Sequence, residues 1–143
     1  VTTVGKNFAL DTIFDGVTYT ATAYMGLVSS VDYTGEAAGD TMSSHAGWYE
    51  SGYSTYYPLY SGNRKTCVWS AAGSGAKSLS AYLSFAIITT GGTVKGAFIV
   101  IGSGASSTIN DTGGTLYSVG TFTGGDKAVG VGDTLQVNYT AGA

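Results

Sequence analysis

This sequence is short of most of what enzymes, secreted modules and nucleic-acid binders are built from. Of its 143 residues one is cysteine, one is proline and one is histidine, and charged side chains make up only 10%. Cys67 has no intrachain partner, so no disulfide framework holds the fold, which points to assembly in a reducing cytoplasm. Six Lys and Arg against nine Asp and Glu give a formal net charge of -3. That leaves no basic stripe to neutralise phosphates and argues against nucleic acid as a partner. The longest strictly aliphatic or aromatic run, Ala97–Ile101, is far short of the roughly 20 residues of a membrane helix, so a soluble chain with no membrane partner is expected. The opening residues lack the charged flank and apolar stretch of a signal peptide, and Val1 fits initiator removal and processing equally.

The same scarcity leaves little room for catalysis. Any Ser-His-Asp or Cys-His arrangement would have to use His45, with Asp40, Ser43, Ser44 or the distant Cys67 as partners. No serine sits on a strand-turn-helix elbow. His45 therefore reads as a solvated loop residue and Cys67, between Thr66 and Val68, as a small buried hydrophobe. The stretch Ser74-Gly75-Ala76-Lys77-Ser78 has Ala76 and Ala71 where a phosphate loop needs glycine, and Gly102-Ser103-Gly104 lacks the third glycine of a dinucleotide fingerprint. Dispersed carboxylates with one His and one Cys form no ligand cluster at zinc or calcium spacing. The expectation is no enzyme, no cofactor and no metal.

What fills the gap is glycine (23), tyrosine (11), serine and threonine. Such a polar, weakly charged surface suits one covered by other chains, and equally a Thr/Ser-rich monomer. Residues 3–14 predict the one helix: Thr3 caps it, Phe8, Ala9, Ile13 and Phe14 recur at helical spacing, and Asp15-Gly16 stops it. Val17–Ser29 predicts a half-buried strand with Tyr19, Ala21, Ala23, Met25 and Leu27 on its inner face. Residues 35–47 read as a long loop with one helical turn at Asp40–Ser44. Strands are expected over Arg64–Ala71, Leu79–Ile88, Thr93–Ile101 and Ser106–Asn110. Thr89–Gly92 forms a hairpin-like turn, and AFIVI is a central strand buried on both faces. The terminal runs Thr115–Thr123 and Thr134–Thr140 predict a meander, with Leu135, Val137 and Tyr139 inward. About eight strands with turn signals at roughly 8–12-residue spacing predict an all-β fold, a single β-sandwich domain over residues 1–143 with a short N-terminal helix.

The segment Trp48–Tyr60, WYESGYSTYYPLY, places six aromatics among thirteen residues and holds the only proline, Pro58. Proline argues against a central strand, so this is an edge or an extended loop. Exposed aromatics serve protein interfaces or sugar-stacking platforms, and otherwise line a core. We take Trp48, Tyr49, Tyr53, Tyr56, Tyr57 and Tyr60 as the candidate subunit interface.

The stretches VGKNFALDTIFDG, RKTCVWSAAGSGAKSLSAYLSFAI, TVKGAFIVIGSGAS and GTLYSVGTFTGGDKAVGVGDTLQVNYT together resemble a family of small virion proteins encoded by tailed phages. That resemblance spans nearly the whole chain and rests on turns and strands rather than a chemical signature. It implies a capsid decoration, or cement, protein of jelly-roll fold, with no catalytic residues to carry over. The expected site is the capsid exterior after assembly in the host cytoplasm. The implied partners are the major capsid protein and further copies of the chain, as a dimer or trimer. Related sequences also resemble tail or fibre components. A carbohydrate-binding β-sandwich using Trp48, Tyr53 and Tyr57 is the competing reading.

Overall fold

The apolar run that ends at Ile101 is the middle of the molecule. The structure, a computed structural model, describes residues 1–142 except Val17, Thr20 and Ala21. It is a small β-rich domain with one short helix and several antiparallel sheets. In the largest sheet β5 (Gly92–Ile101) lies between β1 (Tyr24–Ser29) and β6 (Thr115–Thr121). Beyond β1 lies β2 (Lys65–Thr66), while β7 (Lys127–Val129) pairs with the start of β5. Because β5 has neighbours on both edges and apolar residues on both faces, each face needs its own cover. Ile99, with Met25 and Leu27 of β1, enters one core that contains Phe85, Ile87, Tyr60 and Val137. Phe98 and Val100, with Val28 and Leu116, enter a second that contains Trp48 and Met42. Each such side chain, fully withdrawn from water, contributes about 1.5–3 kcal/mol.

The first core is covered by two small sheets, β4 (Leu83–Ala86) with β8 (Thr134–Val137) and β3 (Ala76–Ser78) with β9 (Thr140–Gly142). The terminal runs therefore do not form a meander, because β6 joins β5 while β8 joins β4 in another sheet. Nor does the turn at Thr89–Gly92 close a hairpin: β4 and β5 lie in different sheets. Turn residues set where a chain reverses, and the demand for cover on both faces of β5 sets who pairs with whom. The expected inward alternation holds, with Val137 buried and Leu135 and Tyr139 half-buried between exposed Gln136, Asn138 and Thr140.

Other expectations are corrected in detail. Along β1 both faces are buried rather than one, since Gly26 and Val28 face the second core. The proposed start of that strand at Val17, with Ala21 on its inner face, lies outside the described residues; Tyr19 is largely exposed. Arg64–Ala71 pairs in a ladder only at Lys65–Thr66. Ser106–Asn110 is not a strand, because the carbonyls of Ser106 and Ser107 are taken by Arg64. Asp40–Ser44 forms a tight turn closed by Thr41 and Ser44, not a helical turn.

Helix α1 (Thr3–Phe14) occupies the predicted span, but its cap is Thr2 rather than Thr3. The Thr2 hydroxyl accepts from the Gly5 N–H at 3.1 Å and donates to the Leu116 carbonyl. At the far end Asp15 caps the last turn and Gly16 takes a left-handed φ of 68°. The helix starts on the outer edge of β6, where the Thr2 N–H donates to the Tyr117 carbonyl at 3.0 Å. A β-carbon on Gly5 would stand 2.3 Å from that same carbonyl oxygen, so only glycine permits the approach.

A tyrosine hairpin anchored in two cores

The segment from Trp48 to Tyr60 is an extended loop, as the proline suggests, with isolated bridges in place of a ladder. Its two ends are buried on opposite sides of the main sheet. Trp48 is 0% exposed: its ring stacks on His45 with centroids 4.0 Å apart and leans on Phe98, and its indole N–H donates to Asp40 at 2.9 Å. Tyr60 is 3% exposed and meets the Phe85 ring edge-on at 5.0 Å. Burial raises the Tyr60 phenol well above its ordinary pKa, helped by nearby Glu50 and opposed by Arg64. Neither ring is available as a surface anchor, which removes Trp48 and Tyr60 from the expected interface. Loss of Trp48 also dismantles the Trp48, Tyr53, Tyr57 sugar platform.

Between those ends sits a polar hub that sequence reasoning missed. The Arg64 guanidinium grips the Glu50 carboxylate with two bonds of 2.8 Å, and their side chains are 0% and 6% exposed. Remaining guanidinium donors reach the carbonyls of Ser106 at 3.1 Å and Asp111 at 2.7 Å, and its plane lies 5.2 Å from the Phe98 ring centre. Glu50 also accepts from the Asn110 N–H at 2.8 Å. Three loops thus converge on one ion pair in which every guanidinium nitrogen and both carboxylate oxygens have a hydrogen-bond partner, the condition under which a buried pair is tolerated. A β-carbon at Gly26 would stand 2.4 Å from the Phe98 ring and 2.8 Å from the Glu50 carboxylate, so β1 leaves room for the hub only with glycine there. The available signal was that Arg64 is the only arginine in the chain and Glu50 the only charge inside an aromatic segment.

The hub holds up the tip of the loop. Tyr53 is 46% exposed, and the half-buried Tyr49 and Tyr56 stack face to face at 4.2 Å and 8°. Tyr53 and Tyr56 are bridged across a turn in which Ser54 has a φ of 52°. Desolvation raises the Tyr56 phenol above its ordinary pKa, and Tyr49, Asp32 and Tyr53 add to the shift. The half-buried Tyr57 fixes the base, its carbonyl accepting from Ser29 at 2.6 Å and Ser51 at 3.3 Å. Of the six aromatics, then, Tyr49, Tyr53, Tyr56 and Tyr57 reach the surface.

Elsewhere the chemistry is sparse. His45 Nδ1 is 2.9 Å from the Trp48 carbonyl and its ring is spent on the stack. Cys67 is buried, and burial pushes its thiol up to about 12. Lys77 lies on β3 and donates to the Ser70 carbonyl. Among the described residues no three His, Cys, Asp or Glu gather to hold a metal, and no helix is long and apolar enough to cross a membrane. A groove of about 450 Å³ between β6 and β8–β9 is lined by Ser118, Gly120, Phe122, Val137, Asn138 and Tyr139, with no ionisable carboxylate or amine. Compared with known proteins, the chain matches no family model, no curated protein and no solved structure.

Proposed function

We propose that this chain is a multi-copy structural subunit of a virion, a decoration or cement protein that binds the outer lattice of a major capsid protein and reinforces the head. In this reading the two small sheets over the first core are the second layer of a jelly-roll-like sandwich. The observation that carries the proposal is the tyrosine hairpin: the exposed Tyr53 and the half-buried Tyr49, Tyr56 and Tyr57 on a loop whose ends are fixed in two cores and whose middle is tied by a buried ion pair. Tyrosine anchors concentrate interface energy, and a loop ordered before binding loses little entropy on docking. A surface with few charges adds little self-repulsion when many copies crowd one shell, and modest contacts gain by multiplicity. The sequence resemblance supports the same reading.

The test is copy number in purified particles relative to the capsid protein, with retention of Tyr53→Ala and Tyr56→Ala variants. Wild-type chain at near-stoichiometric copy number, and variants that dissociate on dilution or heating, are expected. Particles that lack the chain would refute the assignment. Glycan binding by the hairpin would favour a carbohydrate-recognition module instead.

A further inference from the structure

Surface helices ordinarily turn large apolar side chains inward and polar ones outward. Helix α1 does the reverse. Its inner face is mostly small, with Gly5 against the Tyr117 backbone and Ala9 and Thr12 half-buried; only Val4 and Phe8 are bulkier, and Phe8 reaches Gly102. Its outer face carries Leu10, Ile13 and Phe14, which are 51%, 72% and 78% exposed. The charges are also set against the helix dipole, with no acid in the first turn and no base in the last. Lys6 lies in the N-terminal half and Asp11 and Asp15 in the C-terminal half, and neither ion pair among the described residues involves them. An isolated helix is weakened by that arrangement.

An antiparallel neighbour of the same sequence reverses both defects. We infer that α1 is a self-association helix, which pairs antiparallel with α1 of a second copy around Leu10. Lys6 and Phe14 lie four residues to either side of Leu10, about 6 Å along the axis each way. A two-fold axis at Leu10 therefore sets each Lys6 and Asn7 opposite the other helix's Phe14 and Ile13. Each Lys6 then approaches the negative end of its neighbour, where the terminal carbonyls of the last turn lie. Lys6 is exposed on the side of α1 that carries Leu10, so its stem can cover Phe14 while its ammonium stays in water. Three large side chains per copy make a contact at the small end of specific interfaces, so the pairing is weak in dilute solution and gains when subunits are held together. This inference stands independently of the capsid reading.

Sedimentation equilibrium of the full chain over about 1–500 µM tests it, a range suited to a contact of this size. A concentration-dependent dimer is expected. Leu10→Glu with Phe14→Glu should leave a monomer at every concentration with an unchanged circular dichroism spectrum, because both side chains are exposed. Lys6→Glu should weaken the dimer by about tenfold through loss and reversal of two symmetry-related attractions. Leu10→Cys should give a reducible covalent dimer on mild oxidation. A wild-type chain that stays monomeric throughout, even one that binds a different protein through α1, overturns the inference. A dimer indifferent to Lys6→Glu overturns the antiparallel arrangement.

Discussion

Replacing Arg64 with alanine strikes the point where three loops meet. The substitution strands the Glu50 carboxylate in a site where it is 6% exposed and leaves the Ser106 and Asp111 carbonyls without their donor. Breaking one side of a buried pair costs about 3–5 kcal/mol. A domain of ordinary stability holds about 5–15 kcal/mol, so this single change should remove at least about a fifth of it. Urea unfolding followed by tryptophan fluorescence would show a lower midpoint with an unchanged slope. Arg64→Lys should recover little, because an ammonium cannot make the two parallel bonds that the guanidinium makes to Glu50. The paired variant Glu50→Leu, Arg64→Leu separates charge from connectivity. With no stranded charge it should be more stable than Arg64→Ala. It should still fall below wild type, because the Asn110 N–H and the two carbonyls each lose a partner at about 1–3 kcal/mol. A loss below about 1 kcal/mol in Arg64→Ala would be within the range of ordinary single substitutions and would refute the hub as a fastening.

Three further outcomes follow from the same geometry. Trp48→Ala should cost about 3–5 kcal/mol by opening the second core, whereas the exposed Tyr53→Ala should stay within about 0.5 kcal/mol; denaturant titration of both checks the division of the aromatic segment into anchors and tip. Gly26→Ala should destabilise by about 1–3 kcal/mol, since the added carbon collides with Phe98 and Glu50, and a variant as stable as wild type would contradict that contact. Stability should fall with rising pH between about 9 and about 12. Cys67 has its folded pKa raised from 9.0 to about 12, so over that window the unfolded chain has released a proton that the folded chain keeps, and unfolding gains. Below about 9 the effect is fully in favour of folding, and Cys67→Ala should flatten the decline in alkaline denaturation curves.

Much of the fold is legible where one local property decides the outcome. AFIVI announces a strand with two apolar faces, and β5 takes that place. Asp15-Gly16 announces the end of a helix, and Gly16 takes the left-handed conformation that ends it. Partners are less legible, because a glycine-rich turn fixes a reversal and leaves open which sheet the next strand enters. For the same reason Leu83–Ala86 pairs with Thr134–Val137 across fifty residues rather than with its neighbour. The direction of α1 was hidden by its own spacing: Ile13 and Phe14 recur at helical intervals, yet the close approach at Gly5 turns the small residues inward. In the aromatic segment composition showed only that rings are concentrated there. It could not separate Trp48 and Tyr60 from Tyr53, since burial there depends on Asp40, Phe85 and Phe98 from elsewhere in the chain.

The N-terminal helix also has a negative role, that of a stopper. As the last strand of its sheet, β6 would offer a row of free backbone groups to any passing chain, the usual template for runaway strand addition. That row is met from outside at its two ends: Thr2 takes the Tyr117 carbonyl, Gly5 lies flat against the same residue, and the Glu36 carboxylate takes the Thr121 N–H at 3.1 Å. Clipping the first turn would thus do more than delete a helix. It would unseal the edge of the central sheet, and a protease-trimmed chain should be the one that forms fibres.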